Sequence, residues 1–339
     1  MIINLSGLFV VILVACLSAL LAGPAMIWFT RKIKLVDFPG VALHKKHQDE
    51  LPLAGGLVIS ISLVVTLVSL QPEFTNEVLG ILLGTLAMMI WGIVDDRFNL
   101  TASQKIFGQL LVSIITIALG VQVHITRVEW LDLTITLLWF VGLTNAFNFV
   151  DSMDGLAVGL AGIASAFFMM VTLDSSQPEL AFLAAVLFGA MIGCFFYNAP
   201  PARMFLGDSG SLSLGFALAA IGIAYTPAQA GLPQGISWFI PILVLGVPIF
   251  DMALVIVSRL RQKRPIYLAS SDHVYHRLVR VGFTPNRAVA AMQVVAILLS
   301  LVAFISLSTN VLIANLIFGG IVSSALIALL YLETKVRPG

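Results

Sequence analysis

Along the chain, long apolar runs alternate with short polar breaks. The runs cover roughly 7–29, 54–71, 78–94, 105–120, 133–150, 155–174, 179–197, 210–226, 236–257, 288–307 and 311–332. A helix needs about 20 apolar residues to cross a bilayer core, so the pattern predicts an all-α polytopic membrane protein of about eleven transmembrane helices. One short segment departs from helical periodicity: VQVHITRVEWLDLT, 121–134, alternates with period two and is expected to form a small hairpin.

Composition agrees with the pattern. Apolar residues make up 59% of the chain and charged residues 10%. With a mean hydropathy of +1.04, an ordinary soluble domain is excluded. The first run has no basic stretch before it and is longer than a signal peptide's apolar region, so it is expected to be retained. Cys16 and Cys194 lie in apolar runs without metal-ligand spacing and read as small buried hydrophobes.

Charge then orients the bundle, because Lys and Arg favour cytoplasmic loops. With the N-terminus outside and the C-terminus cytoplasmic, the chain is one membrane domain, 1–339, with cytoplasmic loops 30–53, 95–105, 151–154, 198–209 and 258–287. These loops and the C-terminal tail hold every one of the 18 Lys and Arg residues except Arg127. Glu73, Glu77, Glu129, Asp132, Asp174 and Glu179 fall outside, and the remaining acids gather on the basic side. Orientation does not require them there, so they call for a chemical reason.

Four polar segments carry that chemistry. WGIVDDRFNL ends the third run with Asp95 and Asp96. Acids at a helix C-terminus oppose the macrodipole unless a cation accompanies them. NAFNFVDSMDGLA places Asn145, Asn148, Asp151 and Asp154 three apart, a spacing that drifts about 60° per step on a helix; with Gly155 it reads as a helix end, a turn and a new start. GDSGS, 207–211, opens the eighth run with backbone amides suited to an anion, and its Asp208 is suited to Mg²⁺. SSDHVYHRL brings Asp272, His273, His276 and Arg277. Nearby acids without a thiolate favour hard-ion and phosphate chemistry over zinc, so these basic groups read as phosphate contacts. Asp251 lies inside the ninth run, roughly 9 Å deep at 1.5 Å per residue, where an acid is by default a functional candidate. Each segment also has a plainer reading as a solvated stop, a cap, a glycine-rich start or an orientation signal.

Taken together these segments resemble the polyprenyl-phosphate N-acetylhexosamine-1-phosphate transferases, glycosyltransferase family 4. HKKHQDELPLAGG, DDRFNLTASQK, NAFNFVDSMDGLA, YNAPPARMFLGDSGS and DHVYHRL recur in family order across nearly the whole chain. The resemblance implies transfer of a sugar-1-phosphate from a UDP-N-acetylhexosamine to polyprenyl (undecaprenyl) phosphate at the cytoplasmic face of the bacterial plasma membrane. It implies Mg²⁺, or Mn²⁺ in its place, held by Asp208. Asp95 and Asp96 resemble the acidic pair beside the lipid phosphate, Asp151 and Asp154 the second acidic motif at the nucleotide, and His273, His276 and Arg277 the phosphate-contacting loop. Lys45, Lys46, His47, Lys105 and Asn148 are expected substrate contacts, with Asn198 and Phe205 where the family contacts uracil. Nucleic acid is not an expected partner; a homodimer is compatible with the sequence, which does not determine the oligomeric state. One departure stands out: the UDP-GlcNAc branch often carries HxHHR in its last loop, where this chain has Tyr275, while the three consecutive histidines of the peptidoglycan branch are absent. The rival class is a transporter or lipid flippase. It would place its polar groups near the midplane, whereas here they gather at one rim.

Overall fold

A computed structural model of the protein describes residues 5–37, 50–70, 72–126, 128–226, 237–265 and 272–336. The helices are α1 Leu5–Lys32, α2 Gly55–Leu70, α3 Asn76–Phe98, α4 Ala102–Ala118, α5 Glu129–Val150, α6 Leu156–Asp174, α7 Pro178–Asn198, α8 Gly207–Ala224, α9 Ile240–Val244, α10 Gly246–Arg261, α11 Val274–Arg280, α12 Pro285–Leu307 and α13 Val311–Lys335. Every apolar run coincides with helix, and the protein is an all-α polytopic membrane protein. Among the described residues eight helices are long and apolar enough to cross a bilayer, and α2 and α4 are shorter apolar helices. The ninth run is broken between α9 and α10 at Leu245. Pro248 has no N–H to offer the Val244 carbonyl four residues back, so the hydrogen-bond ladder lapses there.

Two strands, β1 Val36–Asp37 and β2 Leu51–Pro52, pair antiparallel with Val36 opposite Pro52. The hairpin expected at 121–134 is not formed: its described residues up to 126 carry no strand, and α5 begins at Glu129. The amides that strand pairing would have used go to α5 instead. Asp132 Oδ1 accepts from Ile125 N and Thr126 N, and Thr136 Oγ1 accepts from Val123 N.

The bundle is built around α7 and α8. α8 is almost wholly enclosed by the other helices, whereas α13 is largely exposed. α8 packs between α3 and α5, and α7 between α1 and α6. Small residues permit the close crossings. A Cβ on Gly92 of α3 would lie 2.5 Å from Asp208 O and 2.4 Å from Ser209 Cα, so α3 meets the start of α8 backbone to backbone. That crossing sets the acidic end of α3 against the N-terminus of α8.

Candidate active site

Local sequence makes the α3–α4 corner tight. Asn99 takes the left-handed conformation at φ 50° and ends α3. Thr101 then starts α4 with a capping box in which Gln104 reciprocates. Leu100 N donates to Asp95 Oδ1 at 3.0 Å across the corner. Lys105, on the first turn of α4, folds back so that Nζ lies 2.5 Å from Asp95 Oδ2 and 2.7 Å from Asp208 Oδ2. One ammonium thus serves two carboxylates from helices far apart in sequence.

Asp96 is satisfied differently. Its Oδ1 accepts from Asp208 N at 2.7 Å and its Oδ2 from Ser209 N at 3.0 Å. The pair that looked unfavourable at the end of α3 is therefore compensated within the chain, Asp95 by a lysine and Asp96 by the positive end of α8. This corrects the reading of GDSGS as an open anion cradle, because two of its leading amides are already bound to a carboxylate. Gly207, at φ +69°, makes the approach feasible: a Cβ there would sit 2.7 Å from Asp96 Oδ2.

α5 completes the cluster. Asn148 Nδ2 donates to Asp208 Oδ1 at 2.6 Å and to Ser211 Oγ at 3.0 Å. One turn away, Asn145 donates to Gln109 Oε1 at 2.7 Å, and Gln109, fully buried on α4, donates back at 3.4 Å. Gln109 is four residues from Lys105, so this amide pair joins the two helices that supply partners to Asp208. Sequence reasoning passed over Gln109, although an amide in the apolar part of α4, one turn from Lys105, was a usable signal.

Further along NAFNFVDSMDGLA, Asp154 bonds the loop before α8 rather than Asp208. Asp151 is half-buried at the end of α5, its amide bonded to Phe147 O. Asp154 Oδ2 accepts from Ala202 N at 3.0 Å and lines a cleft of about 230 Å³ with Pro200, Asn286 and Gln293. Gly155, at φ 73°, starts α6. Asn198, expected at the base, serves the backbone in this structure. It is buried, with Oδ1 accepting from Gly155 N and Nδ2 donating to Met204 O, both at 3.0 Å. Both ends of the amide are committed to backbone, so Asn198 acts as a strut between the turn before α6 and the loop before α8. Phe205 is half-buried beside β2; its N–H donates to Pro52 O and its carbonyl accepts from Gly55 N, both at 3.0 Å. The first loop is thereby stitched to the start of α8. Lys45, Lys46 and His47 lie outside the described residues.

The histidine segment approaches from the other side of α5. His273 stands at the start of α11 with Nδ1 2.7 Å from Asp251 Oδ2, and its ring meets Phe149 edge-on at 6.0 Å. His276 lies 6.3 Å from His273, ring to ring, and 4.3 Å from the Tyr275 ring. Burial pushes the Tyr275 phenol above its ordinary pKa, so this hydroxyl stays neutral at physiological pH.

Arg277 is a correction. It is fully buried, and all five of its N–H groups are taken: by Asp272 O, Leu332 O, Val336 O, Ser258 Oγ and Glu333 Oε2. A guanidinium has five donors and no more, so none is left for a phosphate. Arg277 ties the histidine loop to α10 and to the end of α13, and Arg259, buried beside it, holds Asp272 at 2.8 Å.

The structure therefore brings together Asp95, Asp96, Lys105, Asn148 and Asp208, with His273 and His276 beyond Phe149. It sets Asn198 and Arg277 apart as internal struts.

Comparison with known proteins places the chain in a family. The sequence pattern of glycosyl transferase family 4 matches residues 78–226, the stretch holding all of the Asp208 cluster. A probable undecaprenyl-phosphate N-acetylglucosaminyl 1-phosphate transferase of Bacillus subtilis is 31% identical over 314 residues, 89% of this chain and 86% of that protein. A phospho-N-acetylmuramoyl-pentapeptide-transferase of Halalkalibacterium halodurans is 29% identical over 325 residues, 87% of this chain and 96% of that one. On this likeness along nearly its whole length, the chain belongs to glycosyl transferase family 4 and is a transferase.

Proposed function

We propose that the enzyme transfers N-acetylglucosamine-1-phosphate from UDP-GlcNAc to undecaprenyl phosphate, releasing UMP and starting a lipid-linked cell-envelope glycan. The observation that carries this reading is the 31% identity over 89% of the chain to a relative named for that transfer. In the reaction an oxygen of the lipid phosphate bonds to the phosphorus bearing the sugar. The bond from that phosphorus to the bridging oxygen breaks, and the electron pair leaves with UMP.

Both reactants are anions, so charge repulsion is the main barrier. The cluster suits it: Asp95 and Asp208 are hard oxygen donors around one ammonium, and Asp96 is a third beside them on the amides that open α8. Lys105 sits between Asp95 and Asp208, a point where a positive charge is already favoured. Such oxygen donors suit Mg²⁺, which takes one or two carboxylates and fills its remaining positions with water and substrate phosphate oxygens. Asp208, with Asp95 or Asp96, would hold it, and when bound it supplies neutralisation of the diphosphate. Lys105 and the histidines add fixed positive or donor groups, and Phe205 offers a ring to the uracil.

The same reading sets eleven crossings in the bacterial plasma membrane, with the N-terminus outside and the C-terminus and active site cytoplasmic. Helix polarity supports a single face for the site, since the clustered groups lie at the C-terminal ends of α3 and α5 and the N-terminal ends of α4 and α8. In an up-and-down bundle such ends share one rim. There a soluble nucleotide can meet a lipid phosphate held at the interface.

Purified enzyme given UDP-GlcNAc, UDP-GalNAc or UDP-MurNAc-pentapeptide, with undecaprenyl phosphate and Mg²⁺, is expected to release UMP fastest from UDP-GlcNAc. Preference for UDP-MurNAc-pentapeptide would move the enzyme to the activity named for its second group of relatives.

A further inference from the structure

Resting on the reading of the site as a sugar-1-phosphate transfer centre, we propose that Asp251 is a positioning residue of the reaction. It acts through His273, holding the imidazole so that Nδ1 carries the proton and Nε2 is the nitrogen presented to the substrate phosphates.

Asp251 lies on α10, inside an apolar run, and is 1% exposed. A carboxylate is costly in such surroundings, and no packing requirement explains one, since an apolar or amide side chain would fill the space at lower cost. Both of its oxygens point to the histidine segment. Oδ2 meets His273 Nδ1 at 2.7 Å and Oδ1 accepts from Val274 N at 2.7 Å. An ionised carboxylate only accepts hydrogen bonds, so Nδ1 must be the protonated nitrogen. The other bond fixes the carboxylate itself, because the backbone amide leaves it little freedom to swing away.

The ring so held packs against α5, the helix whose Asn148 bonds Asp208. Its side chain is 12% exposed, and Phe149, against which it packs, directly follows Asn148, the partner of Asp208. The surrounding segment is equally constrained, with Asp272 clamped by Arg259 and Arg277 tied to Glu333. An orienting hydrogen bond to one ring nitrogen determines what the other nitrogen can do.

Asp251→Asn tests this with little change of shape. The amide keeps its bond to Val274 N only by turning its NH₂ toward His273, and that forces Nδ1 to become the acceptor. The expected result is a fall in kcat of about 10- to 100-fold, the range for outer partners of metal-bound histidines, with KM for UDP-GlcNAc nearly unchanged. The double variant Asp251→Asn/His273→Gln should be no slower than His273→Gln alone, since Asp251 would have nothing left to act through. Imidazole ¹⁵N spectra of the detergent-solubilised protein, read without substrate, should show His273 changing from the Nδ1–H to the Nε2–H form in Asp251→Asn. Multiplying effects in the double variant, or an unchanged tautomer, would overturn the proposal and leave Asp251 as a helix fastening. Wild-type protein that does not turn over UDP-GlcNAc would instead overturn the donor assignment, and the spectra would still decide the role of Asp251.

Discussion

Arg277 Nη2 donates to Glu333 Oε2 at 2.7 Å, joining the short helix that follows His273 to the far end of the chain. The guanidinium is fully buried and the carboxylate 5% exposed. α13 is otherwise the least enclosed of the long helices, so this pair and the neighbouring carbonyl bonds are its principal attachment at that end. Breaking a buried pair from one side leaves the other charge without a partner, at a cost of about 3–5 kcal/mol. Glu333→Ala is expected to lower the thermal midpoint in detergent clearly and to impair turnover with every UDP-sugar alike. A wild-type midpoint would show that Arg277 is held by its carbonyl bonds alone.

Lys105 and Asp208 should respond in different ways. Lys105→Gln removes the one ammonium between Asp95 and Asp208 and leaves two carboxylates facing each other. A loss of about 1–3 kcal/mol is expected from the unmatched groups, with severe loss of turnover. Asp208→Asn keeps its shape and its bond with Asn148, so the fold should survive while most Mg²⁺-dependent turnover is lost. A Mg²⁺ titration of UMP release separates the two, and wild-type turnover of Asp208→Asn at limiting Mg²⁺ would remove it as a ligand.

The Gln109–Asn145 pair should be worth more to activity than to stability. Interhelical polar contacts in membrane bundles couple by about 0.6–1.7 kcal/mol. Gln109→Leu and Asn145→Leu should each destabilise within that range, and the double variant should cost less than their sum. Because Lys105 and Asn148 are each within one turn of the pair, kcat should fall in both single variants. Additive stability losses would mean that the pair is not coupled.

Gly92→Ala tests the α3–α8 crossing. Its new Cβ would meet the backbone of Asp208 and Ser209, which cannot move aside as a flexible side chain can. Overpacking of this kind costs about 1–3 kcal/mol, and it should also loosen the bonds from Asp96 to the start of α8. Melting curves and turnover are expected to fall together; Gly120→Ala, where a Cβ would meet nothing within 4 Å, controls for added bulk though not for its own positive φ.

Much of this was determined by the sequence alone. Runs of apolar residues dictate helices because backbone groups in lipid must be satisfied within the segment, and every run coincides with helix. DDRFNLTASQK carries its own corner: a left-handed asparagine, a capping threonine and a lysine one turn on. Tertiary structure decided which polar groups are already occupied. Asn198 and Arg277 look like their neighbours along the chain, yet Arg277 spends all five of its donors on the protein and Asn198 bonds backbone from both ends of its amide. Asp96 finds its partners at the start of α8, and Arg277 finds Glu333 56 residues away. The β-like alternation of 121–134 yielded to an aspartate that claimed its amides from the next helix. A periodic pattern records which side of a helix is buried, but a hydrogen bond is satisfied by whichever donor or acceptor packing brings within about 3 Å, and only the assembled bundle settles that.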